Sequence, residues 1–322
     1  MSNKIGVILV NLGSPAEATP KAVSEYLWQF LRDKRVVDLP AWKWWPLLKA
    51  IILPHRAKGV AELYQHSWTA QGSLLIAVSQ QQQKLVQRYL REKGQDVQVE
   101  LAMTYGQPNL TTAVDNLMQA KVEKLIVLPL FPQYSSTTTA AVFDAFVNVW
   151  QNRRDLPPFE FIHNYADNPD YIQALAQTIR RYLNDDTFLL FSYHGIPLRY
   201  EQEGDNYRHQ CELTTQKVID VLGLAPKQWG MTFQSRFGRE EWLSPYTDEF
   251  MKTAPKEGVR KLAVVCPGFS ADCLETVEEI AQENRQYFLH HGGEDFQYIP
   301  ALNTQPAHIA ALGNLILKKC EA

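Results

Sequence analysis

Short apolar runs alternate with amphipathic stretches along the whole chain. In the intervening stretches, apolar residues recur every three or four positions, the spacing of a helix that packs one face against a core. The runs lie at 5–10, 97–103, 124–130, 188–191, 229–233 and 261–265. Strands that alternate with helices form parallel sheets covered on both faces. The pattern therefore predicts an α/β protein of two doubly wound parallel-sheet domains, with the functional site in a cleft between them.

A stretch containing several prolines, at 151–170, marks the seam between the two predicted domains. Prolines of this kind are typical of connections between regular elements. We expect an N-terminal domain over 1–160 and a C-terminal domain over 161–322. The final helix, 306–319, could pack back on the first domain.

The composition is that of a soluble globular protein. Of the 322 residues, 45% are hydrophobic and 21% are charged, and a net charge of -3 gives no reason to expect a nucleic acid partner. The four cysteines form no CxxC pair, which argues against a zinc knuckle or a disulfide framework and favours a reducing compartment. The first apolar run is too short to span a membrane and has no small-residue cleavage site, so we expect a cytoplasmic protein.

The stretch FSYHGIP, from Phe191 to Pro197, places a histidine where a buried strand ends. In open α/β sheets, ligands bind beyond the carboxyl ends of the strands. A neutral imidazole at that edge suits a general base or a metal ligand. The alternative is that His194 is a hydrogen-bonded turn residue without chemistry.

Three carboxylates follow the strand that ends near Val265. Asp272, Glu275 and Glu279 are spaced i, i+3 and i+7, so on an α-helix they would share one face and attract cations. The alternative is that Asp272 and Glu275 are a capping pair at the start of the helix. Together with His194, the carboxylates form a set suited to a divalent metal or to proton transfer. The motifs of zinc hydrolases, serine hydrolases and P-loop proteins are absent.

Three further stretches allow more than one interpretation. Residues 39–54 hold tryptophans, lysines and prolines, which suits a lip over a flat apolar ligand or a membrane surface, or else a proline-punctuated helix packed on its own domain. The hydroxyl-rich loop at 131–139 could receive a carboxylate or cap a helix. The glutamine run at 80–83 predicts a solvated helix face.

Six ordered blocks resemble the ferrochelatase family, over about residues 5–315. The blocks are NLGSP at 11–15, YLWQFLRDKRVVDLP at 26–40, LPLFPQYSSTTT at 128–139, FSYHGIP at 191–197, TFQSRFGREEWLSPYT at 232–247 and PGFSADCLETVEEI at 267–280. The resemblance implies two Rossmann-like domains, and an enzyme that inserts Fe2+ into a porphyrin in the last step of haem synthesis. A porphyrin must be bent and must lose two pyrrole protons while the iron sheds water.

The resemblance also implies roles for individual residues. His194 and Glu275 would be the catalytic pair facing the porphyrin centre, and Asp272 and Glu279 would extend the acidic metal path behind Glu275. Which member of the pair accepts a proton and which holds the metal is left open. Apolar walls for the macrocycle would come from Leu12, Tyr105, Trp242 and Phe269, with Tyr134 nearby.

Departures from the family pattern refine these expectations. Leu12 stands where the coproporphyrin-using branch has a tyrosine, which favours protoporphyrin IX as substrate. Thr104 stands where many relatives have an arginine. No cysteine cluster closes the chain, so no iron-sulfur cluster is expected. The segment 42–54 corresponds to the family's hydrophobic lip, with peripheral contact to the inner membrane as a corollary. The alternatives are a chelatase for coproporphyrin or another tetrapyrrole, and a tetrapyrrole carrier without turnover.

Overall fold

The computed structural model describes residues 4–151 and 153–320, which divide into two compact units. The N-terminal unit comprises the described residues of Met1–Phe131, Ser135–Asn164 and Ile309–Ala322, and the C-terminal unit comprises Pro132–Tyr134 and Tyr165–His308. Each unit contains one four-stranded parallel sheet with helices between the strands, so the predicted α/β class is confirmed. Among the described residues, no helix is long and apolar enough to cross a membrane.

The N-terminal unit is built on the strand order β2-β1-β3-β4. Its elements are β1 (Ile5–Ser14), α1 (Pro20–Leu31), α2 (Ala41–Leu47), α3 (Leu53–His66), α4 (Leu74–Glu92), β2 (Val97–Gly106), α5 (Leu110–Gln119), β3 (Lys124–Pro129), α6 (Thr139–Trp150) and β4 (Phe159–Phe161). The central strand β1 is buried along its length, because both of its neighbours pair with it and helices cover its faces. The short β4 lies within the stretch that the sequence indicated as a seam.

The tryptophan-rich segment forms one nearly continuous helical stretch. A π-helical turn, Leu48–Ile52, joins α2 to α3. Trp44, Leu48 and Leu53 are buried in a cluster with α1. The prediction of a proline-punctuated helix packed on its own domain is therefore correct for one face. The opposite face is exposed, and its most exposed member is Trp42, at 75%.

Helix α4 covers the free edge of strand β2 with glutamine side chains. The Gln87 side chain accepts from the Val99 amide at 2.7 Å and donates to the Val97 carbonyl at 2.7 Å, while Gln83 donates to the Val99 carbonyl at 2.8 Å. Gln82, in the same run, is fully buried. The prediction of a solvated face at 80–83 is therefore wrong for Gln82 and Gln83, whereas Gln81 is exposed. The Gln83 and Gln87 amides replace the hydrogen bonds of a missing neighbouring strand.

The C-terminal unit repeats the same arrangement with the strand order β6-β5-β7-β8. Its elements are α7 (Pro169–Ile179), β5 (Thr187–His194), α8 (Leu198–Gln202), α9 (Tyr207–Leu222), β6 (Trp229–Gln234), α10 (Thr247–Thr253), β7 (Lys261–Val265), a π-helix (Glu275–Asn284), α11 (Arg285–His290) and β8 (Asp295–Ile299). The order in which successive strands are added to the sheet reverses at β5, since β6 pairs on one side of it and β7 on the other. Ligand sites form at such reversals, beyond the carboxyl ends of the strands.

The final helix, α12 (Pro306–Cys320), belongs to the N-terminal unit from Ile309 onward. Within that unit, the Tyr89 hydroxyl donates to Asn314 at 2.8 Å. Gly313 lies against the same tyrosine, because an added Cβ there would come within 2.2 Å of the ring. A side chain at position 313 would therefore push α12 away from α4.

Candidate functional site

Strand pairing fixes the position of His194 at the end of β5. His194 pairs in register with Gln234, the last residue of β6, and the Gly195 amide donates to the Gln234 carbonyl at 2.8 Å. A Cβ added to Gly195 would lie 3.0 Å from that carbonyl oxygen and 3.2 Å from the Trp242 ring. Glycine therefore allows the two segments to approach closely beside the histidine.

A backbone hydrogen bond determines which nitrogen of His194 carries the proton. Nδ1 lies 2.7 Å from the Gly195 carbonyl oxygen, which can only accept. In the neutral ring, Nδ1 therefore carries the hydrogen and Nε2 carries the lone pair. The half-buried imidazole thus presents Nε2 as a base or a metal ligand.

Glu275 and Glu279 lie on the π-helix, which begins at Glu275. The i→i+5 hydrogen bonding of a π-helix widens each turn, so residues four and five apart lie nearly above one another. This geometry stacks the two carboxylates more closely in line than an α-helix would. Short π-helical segments are frequently found at functional sites.

Glu279 is held by Ser235, which follows the last residue of β6. The Ser235 amide donates to Oε1 at 2.8 Å, and the Ser235 hydroxyl donates to Oε2 at 2.5 Å. Burial raises the pKa of Glu279 above its ordinary value, and repulsion from Glu275 adds to the rise. The Ser235 hydrogen bonds and the attraction of His194 oppose it. His194, Glu275 and Glu279 therefore interact electrostatically as one group.

The Asp272 carboxylate is engaged in a buried hydrogen-bond network that joins the π-helix to β8 and the loop after it. Its oxygens accept from the Tyr298 hydroxyl at 2.6 Å, Asn303 Nδ2 at 2.6 Å, the Thr276 hydroxyl at 3.1 Å and the Ala301 amide at 3.2 Å. The prediction that Asp272 shares a helical face with the two glutamates is wrong, because Asp272 lies in the preceding loop. The capping-pair alternative is also wrong, since the N-cap residue is Leu274 and the Asp272 amide donates to Asn303 at 2.8 Å rather than to Glu275.

Three residues of the C-terminal unit were predicted to contact the porphyrin, and each packs against neighbouring residues of that unit. Trp242 is half-exposed beside the His194 turn, where the Leu243 amide donates to the Ile196 carbonyl at 3.0 Å. Phe269 packs partly buried against the core around β7. The Tyr134 amide donates to the Gln210 side chain at 2.7 Å. The roles of these three residues as porphyrin contacts stay predictions.

Leu12 and Tyr105 belong to the N-terminal unit, on neighbouring strands. Leu12 is half-buried near the end of β1. Tyr105 is 6% exposed, its ring packs against Phe30, and its hydroxyl donates to Asp33 at 2.8 Å. In the hydroxyl-rich loop of the same unit, the Ser135 hydroxyl accepts from the Thr137 amide, and Thr138 makes no side-chain cap on α6. The capping interpretation of that loop is therefore wrong for Thr138.

Within residues 4–151 and 153–320, no three His, Cys, Asp or Glu side chains converge as a metal-binding group. Three residues near the π-helix were not predicted from the sequence: Ser235, Cys273 and Asn303. Ser235 could have been found, because it follows a strand whose carboxyl end lies beside that of β5. Asn303 had no such signal, since it lies 31 residues beyond its partner Asp272.

The sequence is similar to those of known proteins over nearly its whole length. A family model described as Ferrochelatase matches residues 4–320. The Ferrochelatase of Haemophilus influenzae (strain PittEE) is 60% identical over 318 residues, which cover 99% of this chain and 98% of that protein. The Coproporphyrin III ferrochelatase of Streptococcus mutans serotype c is 51% identical over 316 residues, covering 98% of each chain.

Comparison with solved structures concerns the fold. The structure of SirB from Bacillus subtilis with Fe3+ matches with a TM-score of 0.60 at 10% identity, covering 98% of this chain and 96% of that one. A second SirB structure, a sirohydrochlorin chelatase with cobalt from Bacillus subtilis subspecies spizizenii, matches with a TM-score of 0.57 at 11% identity. The chain therefore has a chelatase-like fold that contains two four-stranded parallel sheets.

Proposed function

Because the chain belongs to the ferrochelatase family, lyases of haem biosynthesis that insert iron into a porphyrin, we propose that its porphyrin is protoporphyrin IX and that His194 and Glu275 carry the reaction. The observation that carries the proposal is the tautomer of the neutral His194 ring. Its Nδ1 hydrogen is engaged with the Gly195 carbonyl, so Nε2 is left to accept a proton or bind iron.

Proton transfer is the step for which His194 is suited. Insertion of Fe2+ releases two pyrrole protons, so the site needs groups that accept them. His194 Nε2 takes one and becomes an imidazolium, which the nearby Glu279 carboxylate stabilises, since the two groups attract each other. Glu275 takes the second proton, or, where Glu275 holds the incoming iron, that proton passes to solvent water.

The two glutamates supply oxygen ligands for ferrous iron as it loses water. Glu275 lies at the start of the π-helix and Glu279 one wide turn further on. Carboxylate oxygens bind divalent cations and can replace their water ligands one at a time. We assign Asp272 an anchoring role rather than a place among these ligands, because four donors already surround its oxygens.

The experiment mixes purified protein anaerobically with Fe2+ and protoporphyrin IX and follows the loss of the free-porphyrin absorption spectrum. We expect wild-type protein to insert iron and H194A to lose nearly all turnover. H209A is the matched control, because His209 is an exposed histidine of the same unit. Equal turnover of H194A and wild type would refute the assignment. Porphyrin binding without metalation in wild type would favour a carrier.

The choice of porphyrin is tested with coproporphyrin III, the substrate in the name of the Streptococcus mutans relative. We expect wild type to have the higher kcat/KM for protoporphyrin IX, and L12Y to shift the preference toward coproporphyrin III. A higher wild-type kcat/KM for coproporphyrin III would overturn the proposed substrate while leaving the metal-insertion chemistry intact.

We also propose that the exposed face of α2 and of the π-helical turn after it contacts a membrane surface. This face, the Trp42 surface, consists of Trp42, Trp45, Leu47 and Ile51, with Lys43 and Lys49 beside them. Trp28, Trp42 and Trp45 line an open apolar groove of about 470 Å³ here. Tryptophan and lysine next to aliphatic side chains suit the interface of an anionic bilayer.

Vesicle binding tests the Trp42 surface. Burying one large apolar side chain contributes about 1.5–3 kcal/mol, so we expect W42A to weaken binding to anionic vesicles by at least about tenfold. F143A is the control, since Phe143 is exposed at 41% elsewhere in the same unit. Equal losses in W42A and F143A would contradict the proposal.

A further inference from the structure

A buried thiol contacts the Glu275 carboxylate directly. Cys273 Sγ lies 2.9 Å from Glu275 Oε2, and the cysteine is 6% exposed. The thiol is the donor in this contact, because a carboxylate oxygen can only accept.

The backbone around Cys273 is fixed independently of the thiol. The Cys273 amide donates to the Thr276 hydroxyl at 3.0 Å, and the Cys273 carbonyl accepts from the Val277 amide at 3.1 Å. Thr276 is fully buried and lies 3.1 Å from the anchored Asp272. A cysteine side chain has one torsion between its backbone and its sulfur, so a fixed backbone leaves the thiol little freedom.

Glu275 has no comparable support of its own. Its carboxylate lies at the end of three rotatable bonds, and in the described part of the chain the thiol is its one hydrogen-bond partner. Because the thiol engages Oε2, Oε1 is left for iron or a proton. Without this donor, the carboxylate would have to be ordered anew in each turnover.

We propose that Cys273 is a positioning residue that holds the Glu275 carboxylate toward the reacting centre. This inference rests on the proposed function, in which Glu275 acts on the metal or a pyrrole proton. Cys273 itself touches neither iron nor porphyrin in this role. A hydroxyl can replace the thiol as donor, whereas a methyl group cannot.

Kinetics of C273A and C273S test the proposal. We expect C273A to lower kcat about three- to tenfold, the range for leaving one flexible side chain unordered, with little change in the porphyrin KM. C273S should regain most of the lost rate. C211A is the matched control, because Cys211 is fully buried in α9 of the same unit. Thermal midpoints of all variants separate loss of rate from loss of fold.

An infrared measurement tests the contact without iron or porphyrin. The difference spectrum between wild type and C273A isolates the S–H stretching band of Cys273. We expect this band at lower frequency than that of Cys211, and E275Q should raise it, since a neutral amide is a weaker acceptor than a carboxylate.

The outcomes separate this proposal from the one on which it rests. An unchanged S–H band in E275Q would overturn the contact. Normal kcat in C273A, alongside an inactive H194A, would overturn the positioning role while sustaining the proposed function. If wild type inserts no iron into either porphyrin, the proposed function fails, and the positioning role fails with it, whatever the band shows.

Discussion

Protonation of His308 should destabilise the C-terminal unit at acid pH. His308 is fully buried, and its Nδ1 lies 2.8 Å from the Asn303 carbonyl oxygen, which can only accept. Acid must therefore place the second proton on Nε2, which has no hydrogen-bond partner among the described residues. Burial lowers the pKa of His308 to about 4, although the hydrogen bond to Asn303 opposes the shift.

The sign and size of the effect follow from proton linkage. The unfolded chain has the ordinary pKa of 6.5 at this histidine, so it binds more protons than the folded chain between about pH 6.5 and pH 4. The free energy of unfolding therefore falls as the pH drops through that window. Between pH 7 and pH 5 the loss from this one residue is about 2 kcal/mol.

Hydrogen exchange of the β5 and β7 amides measures the free energy of unfolding of this unit at each pH. H308N removes the titrating ring, while its amide can still donate to the Asn303 carbonyl. We expect the wild-type value to fall about 2 kcal/mol more than the H308N value between pH 7 and pH 5. H209N, at an exposed histidine, should follow wild type. Parallel pH curves for wild type and H308N would refute the reasoning.

Two further predictions concern the residues that hold the acidic side chains. S235A removes the hydroxyl donor from Glu279 and should raise the pKa of that carboxyl further, moving the acid limb of the kcat profile up by about one pH unit; an unmoved limb would contradict this. N303A removes two hydrogen bonds to Asp272 and should lower the free energy of unfolding by about 2–4 kcal/mol. N303G should be about 1 kcal/mol more stable than N303A, because Asn303 has φ 45° and glycine adopts that conformation without strain. Urea unfolding measures both variants, and a lower free energy of unfolding for N303G than for N303A would contradict the prediction about the backbone conformation of Asn303.

Much of the fold could be predicted because buried parallel strands are apolar along their length. The runs that became β1, β3, β5 and β7 are of this kind, and His194 does end β5. The short strands β4 and β8 were missed, since their exposed and half-buried residues give no continuous apolar run.

The site could be predicted only as far as local spacing allowed. The D-x-x-E pattern at Asp272 is compatible with a helix, but contacts with Tyr298, Ala301 and Asn303 hold that carboxylate in a loop. Those partners lie in β8 and in the loop that follows it, 26 to 31 residues further along the chain. Helical periodicity likewise cannot distinguish a π-helix from an α-helix over a single turn.

The glutamines of α4 have a consequence for self-association. A free sheet edge is a template on which a second molecule can add a strand, and β2 is an edge of ten residues. The Gln83 and Gln87 amides already occupy the Val97 and Val99 groups that such a strand would need. Two polar side chains thereby block strand addition at the start of this edge, where β2 carries only one charged residue, Glu100.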